Sequence, residues 1–221
     1  MKNWSEINHR HLPVSSNIQI AEGAYLLSFK RDFDFLAVQV VALGVNTCIG
    51  PRLYSIASGE NDEMVDILYT EKSGGGLTPF LSKLKAGDSV LVSEPFGTFT
   101  EVTNNAVYIC AGTGIAPFMS KIKSLKGSNP TLIHGVSFPE YFYFEDYLEP
   151  TLGRNYIQCC SRHPSEDYFQ GRVTQFVKEW KHLDKSKRYY LCGSAEMVVD
   201  TRDELIARGV PFGNINAEIY F

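Results

Sequence analysis

The 221-residue chain is 44% hydrophobic and 13% aromatic, enough for a substantial core in one large domain or two modest ones. Its formal charge of −4 divides as 8 basic against 12 acidic side chains in residues 1–102 (−4) and 13 against 13 in 103–221 (0), which excludes the basic face of a nucleic-acid binder. No run approaches the ~18 uninterrupted apolar residues of a bilayer span, and the polar first ten residues lack the apolar core of a secretory signal, so no membrane association and a cytoplasmic location are expected.

Residues 1–102 read as short strands. Alternating or β-branched runs at 25–29, 36–42, 65–70 and 89–93 are broken by turn residues at Gly44, Gly50, Ser58-Gly59, 74–76 and Gly87-Asp88. Strands spaced about ten residues apart, with almost no helical period, predict a small antiparallel barrel. The rhythm changes at residue 106. An apolar strand at 106–111 meets a Gly-rich turn, a helix opens at Pro117, and strands at 131–136, 156–160 and 188–192 alternate with helix-length segments at 140–148, 173–181 and 195–207. That alternation is the pattern of a doubly wound parallel sheet. The expected division is therefore a β-barrel domain over 1–102 and an α/β domain over 103–221, with the boundary in the polar stretch 101–105.

Five cysteines, Cys48, Cys110, Cys159, Cys160 and Cys192, form no CxxC pair and no C-x4-C-x2-C run, so neither a zinc site nor a built-in iron–sulfur cluster is expected. All but Cys192 read as small buried hydrophobes. His134 reads as a strand-end core residue.

Two segments carry phosphate chemistry. In Tyr108-Ile-Cys-Ala-Gly112-Thr113-Gly114-Ile-Ala-Pro117 a strand runs into a Gly-rich turn and a Pro-started helix, whose unpaired N–H groups and positive dipole end suit a pyrophosphate. Pro117 stands where the third Gly of GxGxxG would be, so the turn alone reads equally as a tight strand-to-helix connection. In the first half, Arg52-Leu53-Tyr54-Ser55 offers a guanidinium fork, an aromatic platform and a hydroxyl, and Gly75-Gly76-Leu77-Thr78 a second backbone nest. Each has a plain structural reading: a surface arginine, a tyrosine packed in a strand, a glycine hairpin. Together, two phosphate sites on two domains imply two nucleotides.

These residues resemble the ferredoxin–NADP reductase family, bacterial flavodoxin/ferredoxin type, over nearly the whole chain from about Ile18 onward. RLYS resembles the family's RxYS motif, which implies that Arg52 meets the FAD pyrophosphate, Tyr54 packs against the isoalloxazine with Leu53 beside it, and Ser55 hydrogen-bonds near flavin N5. GGLT resembles the GxxS/T pyrophosphate turn, and LKAGD (84–88) with EPFGTF (94–99) resembles the segment that closes the barrel. GTGIAP resembles the NADP pyrophosphate loop, with Gly112, Thr113, Gly114 and Pro117 as its contacts. Leu191-Cys192-Gly193 resembles the CG pair beside the nicotinamide. The ending Ala217-Glu218-Ile219-Tyr220-Phe221 is similar to bacterial members, with Tyr220 stacked as a gate on the flavin, Phe221 reaching toward the FAD adenine, and Glu218 delivering or positioning a proton.

The resemblance also implies that Arg162 and Arg172 pair with the adenosine 2′-phosphate. Phe138 departs from the family by standing where many relatives carry a third arginine, so an NADPH preference is expected to be weakened yet retained, with NADH also accepted. Val38-Gln39 departs from the usual Gly-Gln and bears on the local barrel turn. The implied activity is hydride transfer from nicotinamide C4 to flavin N5, followed by one-electron steps to a separate ferredoxin or flavodoxin. Ser55, Cys192, Glu218 and Tyr220 line the transfer zone, no metal takes part, and a monomer is expected. Lys83, Lys85 and Arg10 are the candidates for a basic docking patch on an otherwise acidic half. Three rival readings remain: a reductase component feeding an oxygenase, a flavin or ferric reductase, and an FAD-binding docking module without turnover.

Overall fold

The computed structural model describes residues 4–97, 103, 106–125, 127 and 129–220. Thr98, Phe99, Phe221 and all of the 101–105 boundary stretch except Thr103 lie outside the described residues. Two compact units emerge, one of Met1–Thr100 with Ala116–Ser124, the other of Glu101–Ile115 with Leu125–Phe221.

In the first unit, β1 (His9–Ala21), β2 (Ala24–Lys30), β3 (Val40–Gly44), β4 (Arg52–Ser55), β5 (Met64–Thr70) and β6 (Ser89–Ser93) form an antiparallel sheet in the order β4-β3-β6-β1-β2-β5. A bridge between Ile56, just past β4, and Ile67 of β5 joins the two outer strands, so the sheet closes as a Greek-key barrel. Leu12, Val14, Leu27, Phe29, Val41, Leu43, Val65, Ile67, Val90 and Val92 fill it from alternate strand positions. A short helix, α1 (Thr78–Leu81), follows β5, and Leu77 and Leu81 drop their side chains into the same core.

The expected strand over 36–42 begins only at Val40, because Leu36 to Gln39 form a turn. The Gln39 side chain accepts from the Leu36 N–H at 2.9 Å, and Val38 is held at φ 67° while fully buried. A β-branched residue in the left-handed region costs about 1–2 kcal/mol, and burial of the isopropyl group offsets it. Val38→Gly should therefore cost only about 1 kcal/mol net, since relief of the backbone cancels much of the roughly 2 kcal/mol of lost burial. Val41→Gly, equally buried in regular strand, should cost about 3 kcal/mol. Urea unfolding of both variants checks this, and equal losses would show that Val38 carries no strain.

In the second unit, β7 (Val107–Ala111), β8 (Thr131–Val136), β9 (Tyr156–Cys160), β10 (Phe169–Gln170), β11 (Tyr189–Ser194) and β12 (Ile215–Tyr220) make a wholly parallel sheet, order β10-β9-β8-β7-β11-β12. Helix α2 (Ala116–Ser124) follows β7 in the chain but groups with the first unit, and the helices of the second are α3 (Glu145–Leu152), α4 (Val173–Glu179) and α5 (Ala195–Ala207). One apolar core joins Val107, Ile109, Ile133, Tyr189 and Leu191 of the sheet to Val173 and Val177 of α4 and Val198 and Leu205 of α5. The segment 140–148 is not one helix. A 3-10 turn at Pro139–Tyr141 ends before Phe144, whose φ of 64° breaks the helical path, and α3 starts after it. No described helix is long and apolar enough to cross a membrane.

Candidate functional site

In the first unit the site candidates ride on β4, paired with β3 so that Arg52 lies opposite Leu43 and Tyr54 opposite Val41. The strand is exposed at its start and buried at its end. Arg52 is exposed, Leu53 presents 61% of its surface, Tyr54 is half-buried and Ser55 is buried. Leu53 is thus a large apolar side chain left outside the barrel next to a cation, an arrangement that burial alone does not explain. Burial pushes the Tyr54 hydroxyl up to about 12, against the opposing pull of the Arg52 guanidinium, so the phenol stays neutral. Its ring stands edge-on to Tyr69 at 6.3 Å, and Tyr69 stacks on Tyr25 at 5.4 Å, so packing fixes the platform.

The turn before α1 is closed by the Thr78 hydroxyl, which accepts from the Lys72 N–H at 2.9 Å, and by Gly75 N–H donating to the Lys72 carbonyl at 2.8 Å. Open space surrounds the place a Gly76 side chain would occupy. Leu77, named as a cofactor contact, has its side chain in the core and presents only its backbone.

In the second unit the chain runs outward from β7 through β8 and β9 to β10 on one side, while β11 and β12 lie on the other. The crevice at the carboxyl ends of β7 and β11 is therefore the switch point where α/β sheets bind nucleotides. Gly112–Ile115, a 3-10 turn, follows β7 there, and Cys110 lies opposite Cys192 in the neighbouring strand. The two loops touch backbone to backbone. A side chain on Gly114 would meet the Cys192 carbonyl carbon at 2.7 Å and the Gly193 Cα at 3.0 Å. Thr113 is half-buried on this turn, and Pro117, inside the start of α2, is buried and contributes shape rather than contacts.

Beside the crevice, β12 pairs with β11 so that Tyr190, Cys192 and Ser194 lie opposite Asn216, Glu218 and Tyr220. Asn216, Glu218 and Tyr220 share one face of β12, while Ile215 and Ile219 pack into the core on the other. Burial pushes the Cys192 thiol well above the usual range and the Glu218 charge adds to this, with a hydrogen bond to Tyr220 working the other way, so the sulfur is held as a neutral thiol. Burial likewise raises the Glu218 carboxyl. Glu218 Oε2 and Asn216 Nδ2 are both buried without a hydrogen-bond partner among the described residues. Orphaned buried polar atoms are rare in native proteins and mark a place where a ligand or water belongs. Asn216 escaped sequence reasoning because the signal is its place two residues from Glu218 on a strand face, which needs the register to be known.

Arg162 is exposed just past β9, its N–H donating to the Ser137 carbonyl at 3.0 Å. Arg172 precedes α4 and pairs with Glu196 at 3.0 Å. Arg10, a candidate for a basic docking patch, pairs with Asp32 at 3.2 Å and with Glu94, and lies over the Phe33 ring. Cys48 is exposed rather than buried, on the loop between β3 and β4.

Residues 108–203 match the model of the oxidoreductase NAD-binding domain, spanning β7 to α5 and so the whole switch point. A ferredoxin–NADP reductase of Pseudomonas aeruginosa is 29% identical over 223 residues, covering 84% of this chain and 85% of that protein. The chain belongs to the ferredoxin–NADP reductase family. It is also 31% identical to the toluate 1,2-dioxygenase electron transfer component of Pseudomonas putida, over 93% of this chain but 66% of that longer protein. Among solved structures, a ferredoxin–NADP reductase of Neisseria gonorrhoeae with bound FAD and NADP superposes with a TM-score of 0.84 at 24% identity, covering 96% of this chain and 99% of that one. The barrel and the parallel sheet described above are thus the two-domain fold of the family, and the chain is an oxidoreductase of that kind.

Proposed function

We propose that the protein binds FAD on its barrel and NAD(P)H at the switch point of its parallel sheet, and passes electrons to a separate ferredoxin or flavodoxin. The observation that carries this reading is the combination of an outward-facing Arg52-Leu53-Tyr54 strand with an open glycine turn in one unit and two orphaned polar atoms beside a glycine-lined crevice in the other. The division proposed is FAD to residues 1–102 and coenzyme to 103–221.

The residues present fit both groups. Arg52 would hold the FAD pyrophosphate with the 75–78 turn, where Gly75, Gly76, Leu77 and Thr78 offer backbone donors. Leu53, Tyr54 and Ser55 would seat the flavin ring. Gly112, Thr113 and Gly114 would cradle the coenzyme pyrophosphate, with Pro117 shaping the helix start, and Cys192 and Gly193 would flank the nicotinamide. When bound, FAD supplies the conversion between a two-electron hydride and single electrons.

The protein's own part is positioning and proton control. A neutral Tyr54 on a packed aromatic stack presents a rigid flat surface, and such positioning is where most of the rate is won. Tyr220, tied to Cys192, would serve as the gate on the flavin, displaced for hydride transfer. Glu218, its carboxyl raised by burial and its Oε2 without a hydrogen-bond partner among the described residues, would deliver or position a proton near the transfer zone. Phe221, outside the described residues, is proposed to extend toward the FAD adenine.

A second reading, the reductase component of an oxygenase, is favoured by the 31% identity to a dioxygenase electron transfer component. In either case the acceptor is a separate protein, and a monomeric, soluble flavoenzyme is proposed. The test is reconstitution with FAD followed by fluorescence titration. The chain should bind FAD stoichiometrically and turn yellow, and Arg52→Ala should weaken binding by about tenfold or more, the worth of a charge-assisted phosphate contact. A chain that takes up no FAD would overturn both readings.

A further inference from the structure

The two arginines offered to a 2′-phosphate stand in different surroundings. Both lie at the carboxyl edge of the sheet, where an α/β fold places the adenosine ribose. Arg162 is fixed through its backbone to the loop after β8 and takes part in no ion pair among the described residues. Arg172 is set at the same edge by Gly171, whose N–H donates to the Cys160 carbonyl at 2.9 Å. Its Nη1 donates to Glu196 Oε1 at 3.0 Å. Glu196 sits in the first turn of α5, whose start is fixed by the Ser194 side chain accepting from Met197 N–H. The carboxylate is therefore not a stray surface charge. It is carried on the helix that follows the Cys192-Gly193 loop and reaches to the residue that starts α4.

A guanidinium already bound to a carboxylate offers little net charge to a phosphate, and the carboxylate repels a dianion brought alongside. An unphosphorylated ribose meets no such repulsion. With both side chains about 70% exposed, the pair adds little to stability, so its consequence is for the ligand. Phe138, half-exposed on the β8 loop, supplies no third cation.

We propose that Glu196 is a specificity-determining residue: by engaging Arg172 it withdraws one of the two cations from a 2′-phosphate and brings the protein to near-equal use of NADH and NADPH. This rests on the reading of the second unit as the coenzyme site, and it revises the retained NADPH preference expected from two arginines.

The test is calorimetric titration of the full chain with 2′,5′-ADP and with 5′-AMP, which need neither FAD nor turnover. Wild-type protein should bind the two within about fivefold of each other, and Glu196→Gln should tighten 2′,5′-ADP by about tenfold while leaving 5′-AMP within about twofold, the scale of one charge-assisted contact. The gain should vanish in Glu196→Gln combined with Arg172→Ala. An unchanged ratio in Glu196→Gln, or a gain that survives without Arg172, overturns the proposal. A protein that shows the expected titrations but is reduced by neither coenzyme keeps this inference and loses the reductase reading.

Discussion

Gly114→Ala should lose about 3 kcal/mol of stability, or fold with the Cys192-Gly193 loop displaced and lose about a hundredfold in kcat/KM for NAD(P)H. The methyl group would enter the Cys192 peptide, with its carbonyl carbon 2.7 Å away and the Gly193 Cα at 3.0 Å. Flexible side chains can step aside from such a clash. Here the obstacle is backbone, held in register by β7 and β11 on one side and β12 on the other. Either the turn or the loop must move, and both border the crevice proposed for the coenzyme. Gly112→Ala is the control. Gly112 has φ 55° with open space around its missing side chain, so alanine there should cost only about 1–2 kcal/mol, the strain of the left-handed conformation. Thermal unfolding with steady-state kinetics on both variants checks the pair, and equal effects would mean that the close approach at Gly114 does not matter.

Stability should fall by on the order of 3 kcal/mol between pH 7 and pH 4 through His134 alone. The side chain is fully buried, its Nδ1 hydrogen-bonded with the Tyr156 hydroxyl at 3.1 Å and its Nε2 without a hydrogen-bond partner among the described residues. Burial lowers its pKa from 6.5 to about 4, with the Gly112 backbone opposing. Below about pH 6.5 the unfolded chain therefore takes up a proton that the folded chain refuses until about pH 4. The contribution is complete above 6.5 and is lost progressively through that window. Asp66 and Glu218, both raised chiefly by burial, run the other way: they favour the folded state at low pH and cost stability as pH rises through their folded values. The comparison that isolates His134 is the change in unfolding free energy between pH 7 and pH 5 in the wild type and in His134→Gln. A flatter dependence in the variant is expected whatever its absolute stability, and an unchanged dependence would mean that His134 titrates alike in the folded and unfolded chain.

Much of the α/β unit was legible because its central strands, β7, β8 and β11, are mostly buried apolar runs and its helices carry ordinary signals. Segments 131–136 and 156–160 are β8 and β9, and 195–207 is α5. The barrel was harder to read. The 13-residue β1 hides behind polar residues and Pro13, and its only signal is the buried alternation of Leu12 and Val14. β4 reads as the tail of a turn because its outward residues, Arg52 and Leu53, are kept free of the core. β10 has two residues and no pattern of its own.

The same division holds for the sites. Gly112, Gly114 and Pro117 stand out in the sequence as a strand-to-helix turn suited to an anion, but the turn alone reads equally as a tight connection, and only the second phosphate motif and the resemblance tip it toward a coenzyme. Cys192, Glu218 and Tyr220 were named by resemblance, and register then supplied what sequence lacked, setting Cys192 opposite Glu218 and exposing Asn216 as a member of that face. The Arg172–Glu196 pair joins the residue before α4 to the first turn of α5, 24 positions apart and beyond any local pattern. Arg10 looked basic until the fold brought Asp32 and Glu94 to it.

The most direct test of electron transfer through FAD is anaerobic stopped-flow mixing of the FAD-loaded protein with NADPH and, separately, NADH, followed at the flavin absorbance band. Bleaching faster than about 1 s−1, the lower end of ordinary enzyme turnover, is expected with both coenzymes and at similar rates. No bleaching with either coenzyme, from a protein that holds its FAD, would contradict the reductase reading and leave an FAD-binding docking module in its place.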